Sequence, residues 1–182
     1  MTRRNLFAAL VVVALLGGAL AMAQAPAAPP KPGPEHKRLG YFVGKWSGSG
    51  EMKPGPMGPG GKMTWTETCG WFTGGFAIMC NTDLKGPMGA SKGHAILSYN
   101  REEKAYVYFG IDTNGAADMG KGTVQDKVWN WTAEGKMGGK VYKTRYSVTE
   151  TSNDAYTFKF EMSADGGRTW ATTMEGESKR AK

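Results

Sequence analysis

The sequence is poor in the residues that carry most enzymatic and metal chemistry. It has two cysteines and two histidines in 182 residues. Cys69 and Cys80 lack the close C-x-x-C spacing of a redox-active pair. His36 and His94 stand alone, without the grouped imidazoles and carboxylates that a hydrolytic metal centre needs. No G-x-S-x-G elbow is present, and no cysteine or serine has an evident base in reach. No Lys/Arg-rich run of five or more occurs. The formal net charge of +7 is scattered among acids and glycines, as on a solvated basic surface and unlike the stripe that binds nucleic acid. The expectation is a non-enzymatic protein with no cofactor and no nucleic-acid partner.

What is present begins with an export signal. Arg3 and Arg4 precede an apolar stretch from Leu6 to Leu20, and Ala21-Met22-Ala23 supplies small residues for a signal peptidase. The stretch is about 15 residues, short of the roughly 20 needed to span a bilayer, so no permanent membrane anchor is expected. The cut is placed between Ala23 and Gln24, because a cut after Ala25 would leave Pro26 at the new terminus. The general secretory route suits the very apolar core. Thr2-Arg3-Arg4-Asn5-Leu6-Phe7 also resembles a twin-arginine signal, which keeps that route open. The expected location is periplasmic or secreted. Residues 24–34 carry five prolines and read as an extended tether, and residues 35–182 read as one domain.

After a short helix starting near Pro34, everything past Gly44 looks like strands and turns. Tyr156, Phe158, Phe160 and Met162 alternate with Thr157, Lys159 and Glu161; Tyr142, Thr144, Tyr146 and Val148 alternate with Lys143 and Arg145. A period of two marks strands with one buried side. Turn signals such as Gly74-Gly75, Asn114-Gly115, Gly138-Gly139 and Asp165-Gly166-Gly167 divide the chain into ten strands, near 45–52, 62–73, 76–84, 91–100, 105–112, 115–125, 127–134, 140–151, 155–163 and 168–178. The fold class is all-β. Short connections predict an antiparallel up-and-down meander, and closing it into a barrel removes its edges; a two-sheet sandwich is the alternative. Cys69 and Cys80 lie symmetrically about Gly74-Gly75, so a hairpin turning there sets them opposite each other. In an oxidising compartment that arrangement predicts a disulfide.

Gly44-Lys45-Trp46-Ser47-Gly48-Ser49-Gly50 fits the G-x-W-x-G-x-G opening of nitrobindin-like and related calycin barrels. From about Glu35 to Gly176 the chain resembles a bacterial family catalogued as domain of unknown function 1579, on Gly44-Lys45-Trp46, Gly74-Gly75-Phe76, the segment Gly93–Asn100 and the segment Tyr106–Asp112. The resemblance implies a lipocalin-like barrel and carries no established activity. Nitrobindins hold haem through a histidine near the C-terminus; this chain has none beyond His94, so the ligand is not carried over and haem is not expected.

The candidate site is the barrel interior. Trp65, Glu67, Trp71, Tyr142, Tyr146, Phe158 and Phe160 fall on inward faces and suit a small apolar ligand. An inward acid needs a partner, and Glu67 has Arg145 or Lys121, or a ligand's polar end, as candidates; a partly solvated strand face is the other reading. His94 shares a face with Ile96 and Ser98. Met57, Met88, Met119 and Met137 each precede a glycine, and the meander sets them in or beside loops at one barrel end. They read as an apolar portal, as thioether ligands for Cu(I), or as filler in glycine-rich turns. Asp112 reads as a turn cap before Asn114-Gly115, and Ser163–Trp170 fits a single Asp-box hairpin, with no implication of glycosidase activity. Ligand binding leads; metal handling through the methionine rim and a structural or interaction role in the envelope are the alternatives.

Overall fold

The computed structural model describes residues 28–181. The signal segment, including Ala23 and Gln24, lies outside the described residues. Residues 28–33 have no regular structure. A one-turn helix, α1 (Pro34–Arg38), runs into a 3-10 turn (Leu39–Phe42). Proline at the first helical position suits the start, since its missing N–H would have had no partner there.

Ten strands follow: β1 (Gly44–Met52), β2 (Gly61–Trp71), β3 (Ala77–Gly86), β4 (Gly89–Asn100), β5 (Ala105–Asp112), β6 (Ala117–Gln125), β7 (Val128–Met137), β8 (Lys140–Ser152), β9 (Ala155–Ser163) and β10 (Ala171–Arg180). Each pairs antiparallel with its sequence neighbours, and β1 pairs with β10 from Trp46↔Arg180 to Met52↔Met174, so the sheet closes into a barrel. The meander expected from the turn signals is therefore correct, and the sandwich alternative does not hold.

The boundaries shift by a few residues where local chemistry intervenes. β10 begins at Ala171 rather than 168 because Asp165 holds the chain in a turn, accepting from the Arg168 N–H at 2.9 Å and from the Thr169 N–H at 2.9 Å and hydroxyl at 2.7 Å. These bonds keep its carboxyl well below the usual range. The Asp-box thus acts as the expected hairpin device. Asp112 caps its own turn, accepting from the N–H groups of Asn114 (2.8 Å) and Ala116 (3.0 Å).

One end is sealed. Leu39 and Phe42 of the 3-10 turn insert beside Trp46, Trp129 and Tyr156; the Phe42 ring lies 5.0 Å from Trp129, and the Trp46 indole N–H donates to the Phe42 carbonyl at 2.8 Å. Arg38 spans this end, pairing with Glu150 at 2.5 Å while its guanidinium sits 5.0 Å from the Trp129 ring. His36 is buried edge-on to Phe76 and Tyr99, and its Nδ1 accepts from the Gly33 N–H at 3.2 Å. The plug is thus a docked helical turn sewn to the barrel by aromatic contacts and charge-assisted bonds.

Candidate functional site

An eight-stranded barrel is about filled by its own side chains, and a ten-stranded one is wider. Here aromatics fill the plug half. The other half, toward the loops at 53–60, 87–88, 113–116, 138–139 and 164–170, is lined by smaller inward residues. Gly50, Gly93, Gly110, Gly120 and Gly135 take inward positions by register with Met63, Thr82, Ala95, Tyr108 and Tyr142. Inward residues at this level, among them Thr82, Leu84, Tyr108, Tyr146 and Phe160, keep part of their surface accessible although the barrel wall surrounds them. Leu84, Tyr108 and Tyr146 pack against the buried cluster that contains Trp65 and Phe158, and these inward residues leave accessible surface on the loop side of it.

One wall of the lumen is aromatic. Trp65 meets Phe158 at 5.3 Å, edge to face; Tyr146 lies 5.6 Å from Phe158 and 6.3 Å from Phe160. Glycine makes this arrangement possible: a Cβ at Gly48 would fall 2.1 Å from the Trp65 indole, so the ring lies flat across β1 only because position 48 has no side chain.

Glu67 projects from β2 between Trp65 and Cys69. One of its oxygens accepts from the Thr82 hydroxyl at 3.1 Å, and a carboxyl oxygen lies within 4.8 Å of both sulfurs of the Cys69–Cys80 disulfide. Burial pushes the Glu67 carboxyl up from its ordinary range, with the Thr82 bond opposing. Its second oxygen has no hydrogen-bond partner among the described residues, nor do the Tyr108 and Tyr146 hydroxyls. Burial raises both phenols, and the charges acting on them push the same way: Asp118, Glu67 and Asp112 on Tyr108, and Glu67 on Tyr146. No fully buried side-chain polar atom lacks a partner among the described residues, so these unpartnered groups keep some accessible surface.

Trp65, Tyr146, Phe158 and Phe160 thus come together with Glu67. Tyr142 shares the inward face of β8 nearer the mouth, half-buried. Trp71 does not join them. It is 44% exposed at the end of β2, against Gly40 of the 3-10 turn, because the inward alternation stops where the plug takes over. Arg145 and Lys121 are not partners of Glu67: both point outward, Arg145 to Glu161 at 2.7 Å and Lys121 to Glu103 at 2.8 Å. The partner is Thr82, which lies opposite Glu67 in the register that sets Cys69 opposite Cys80. His94 also faces outward, with Nδ1 2.9 Å from the Asn81 amide oxygen.

The methionine rim is partial. Met57, half-buried, packs against the core; Met88, 60% exposed, and Met137 lie at the mouth. Met119 is not on the rim: it sits on the outer face of β6, 71% exposed and opposite Phe109. The β5–β6 turn closes at residue 116, so Met119 is the third residue of β6 and falls on its outer face. Sequence reasoning missed Met52 and Met63, which share the inward alternation of Trp46 and Trp65 and are buried beneath the rim. It also missed Tyr108, signalled by its alternation with Tyr106. Outside the barrel, open grooves of about 610 Å³ across β1–β4 and about 660 Å³ across β7–β10 are lined by paired surface charges such as Asp83–Lys92 and Arg145–Glu161.

No curated protein matches this sequence. Among solved structures, the chain is similar to Rv2717c from M. tuberculosis, with a TM-score of 0.59 at 13% identity over 84% of this chain and 100% of that one. It is similar also to the S-type phycobiliprotein lyase CPES from Guillardia theta, with a TM-score of 0.56 at 11% identity over 81% and 93%. At such identities the likeness is one of fold. Among the described residues no helix is long and apolar enough to cross a membrane. Residues 31–180 match the family described as "Protein of unknown function (DUF1579)", and the chain belongs to that family.

Proposed function

We propose that this protein binds a small, largely apolar molecule in the loop-side half of its barrel. The observation that carries the reading is the inward cluster of Trp65, Tyr146, Phe158 and Phe160 beside Glu67 in a closed barrel, with Tyr146 and Phe160 keeping accessible surface. An apolar cavity with a few convergent polar groups is the usual form of a small-molecule site. A similar fold in a phycobiliprotein lyase lends support, as a fold that accommodates ligand-handling proteins. Met57, Met88 and Met137 form an adaptable portal in this reading. The protein acts after export, cleaved between Ala23 and Gln24, with residues 24–34 as an extended segment ahead of the barrel; the Cys69–Cys80 disulfide suits an oxidising compartment.

Native mass spectrometry of the full chain purified from its own host tests this. The expected result is a non-covalent adduct of small-molecule mass that is lost when Phe158 is replaced by Ala and Ala95 by Trp. A bare protein, or an adduct indifferent to both changes, rejects lumen binding.

A further inference from the structure

The lumen carries a charge opposite to that of the molecule. The chain is basic overall, at +7. Yet strand alternation turns six lysines near the site outward: Lys62, Lys85, Lys92, Lys121, Lys143 and Lys159 all sit on outer-face positions, between inward neighbours. Only Lys140, exposed at the tip of the β7–β8 hairpin, shares the inward alternation in this half. Arg38 and Arg180 belong to the sealed end, where Glu150 and Asp154 engage them. Apart from Lys140, the inward ionisable groups of the loop-side half among the described residues are acids and phenols: Glu67, Asp112, Asp118, Tyr108, Tyr142 and Tyr146.

Asp112 is satisfied by its own turn. Glu67 is different. Its carboxylate has one hydroxyl donor and no cation within ion-pair distance among the described residues, and it lies on the inward face of β2 between Trp65 and the Cys69–Cys80 disulfide. Removing a carboxylate from water without a counter-charge is costly, and a ligand that brings a cation restores what the fold withholds. The aromatic wall fits the same guest, because ring faces attract cations while repelling anions. A fatty-acid or other carboxylate ligand would meet like charge from Glu67 and Asp118 with no basic residue to hold it.

Building on lumen binding, we infer that the ligand class is an organic cation: an apolar or aromatic body bearing a protonated nitrogen, with Glu67 as counter-ion and Trp65, Tyr146 and Phe158 as the enclosing wall. The nitrogen donates to the unpartnered Glu67 oxygen. Where Glu67 enters the complex protonated, its proton leaves to solvent as the pair forms.

Three probes of one shape separate the outcomes: 1-naphthylmethylamine, 1-naphthylmethanol and 1-naphthoate, each titrated calorimetrically into the full chain near pH 7. The amine is expected to bind at least about tenfold more tightly than the alcohol, with the carboxylate weakest. Glu67→Gln is expected to bring the amine within about twofold of the alcohol and to leave the alcohol unchanged. Thr82→Val, which keeps the carboxylate, is expected to retain the amine preference. Titration in two buffers of different ionisation enthalpy is expected to show proton release with the amine alone, and none with Glu67→Gln. Circular dichroism checks that both variants fold. Alcohol or carboxylate binding as tightly as the amine overturns the cation inference and leaves lumen binding standing. An amine preference that survives Glu67→Gln does the same. No binding of any probe overturns both.

Discussion

Trp129 is the residue on which the sealed end depends, and replacing it gives the sharpest test of how the barrel is closed. Its side chain is 0% exposed. It contacts Phe42 at 5.0 Å and Tyr106 at 4.9 Å, stacks on Trp131 at 6.3 Å, and lies under the Arg38 guanidinium. Its indole N–H donates to Glu150 at 2.6 Å. A buried tryptophan removes roughly 200 Å² from water, which at about 25 cal/mol/Å² is about 5 kcal/mol. Cavity series for Trp→Ala give about 3–5 kcal/mol. Trp129→Ala is therefore expected to cost about 4–5 kcal/mol, a large share of the roughly 5–15 kcal/mol of a typical domain. Trp129→Phe keeps a ring but loses the N–H donor to a charged acceptor, about 1.5–3 kcal/mol, and some volume; about 2–3 kcal/mol is expected. Urea unfolding followed by far-UV circular dichroism measures both. Because Trp129 also holds Arg38, trypsin is expected to cut after Lys37 or Arg38 faster in either variant. A Trp129→Ala cost below about 1 kcal/mol, or a Trp129→Phe variant as stable and protease-resistant as the parent, refutes the reasoning that the docked turn and this ring form one unit.

Three further outcomes follow from the same contacts. Replacing Cys69 and Cys80 together by Ala, or reducing the disulfide, is expected to lower stability by about 3 kcal/mol, the loop-closure value for a sequence separation of 11, read as a shift in urea midpoint. His36 is held below its ordinary range first by burial and then by Arg101, so it folds neutral. Its contribution is present above the unfolded pKa of about 6.5 and is lost as pH falls, so amide protection factors in residues 34–42, corrected for the base-catalysed intrinsic rate, are expected to fall from pH 7.5 to pH 5, and His36→Gln to flatten that dependence. Glu67 is shifted upward by burial, the opposite sign: the fold favours its protonated form, and that preference is lost as pH rises through the folded pKa. Glu67→Gln is therefore expected to gain melting temperature over the parent at neutral pH and to converge with it at acid pH; a constant offset across the range contradicts a titrating, unpaired carboxylate.

The sequence by itself determined the class of fold and much of its register. Period-two alternation survives any tertiary context, because in a strand successive side chains must point to opposite faces. Tight turns between short strands left few ways to connect them, and the symmetry of Cys69 and Cys80 about Gly74-Gly75 sets a hairpin by local pattern alone. Tyr146, Phe158, Phe160 and Trp65 were legible as inward-facing for that reason. Tertiary structure decided the rest, because alternation says which residues share a face and not what lies across the lumen. Closure between β1 and β10 joins segments at opposite ends of the chain, beyond the reach of local pattern. Trp71 keeps the alternation and still leaves the interior, since the plug occupies its place. Met119 is the third residue of β6 and so falls on the outer face rather than on the rim. Most of all, the sequence offered Glu67 two cations that the fold turns to the outer wall. Only the closed barrel shows that this acid has no counter-charge inside, which makes the lumen a place for a guest that brings one.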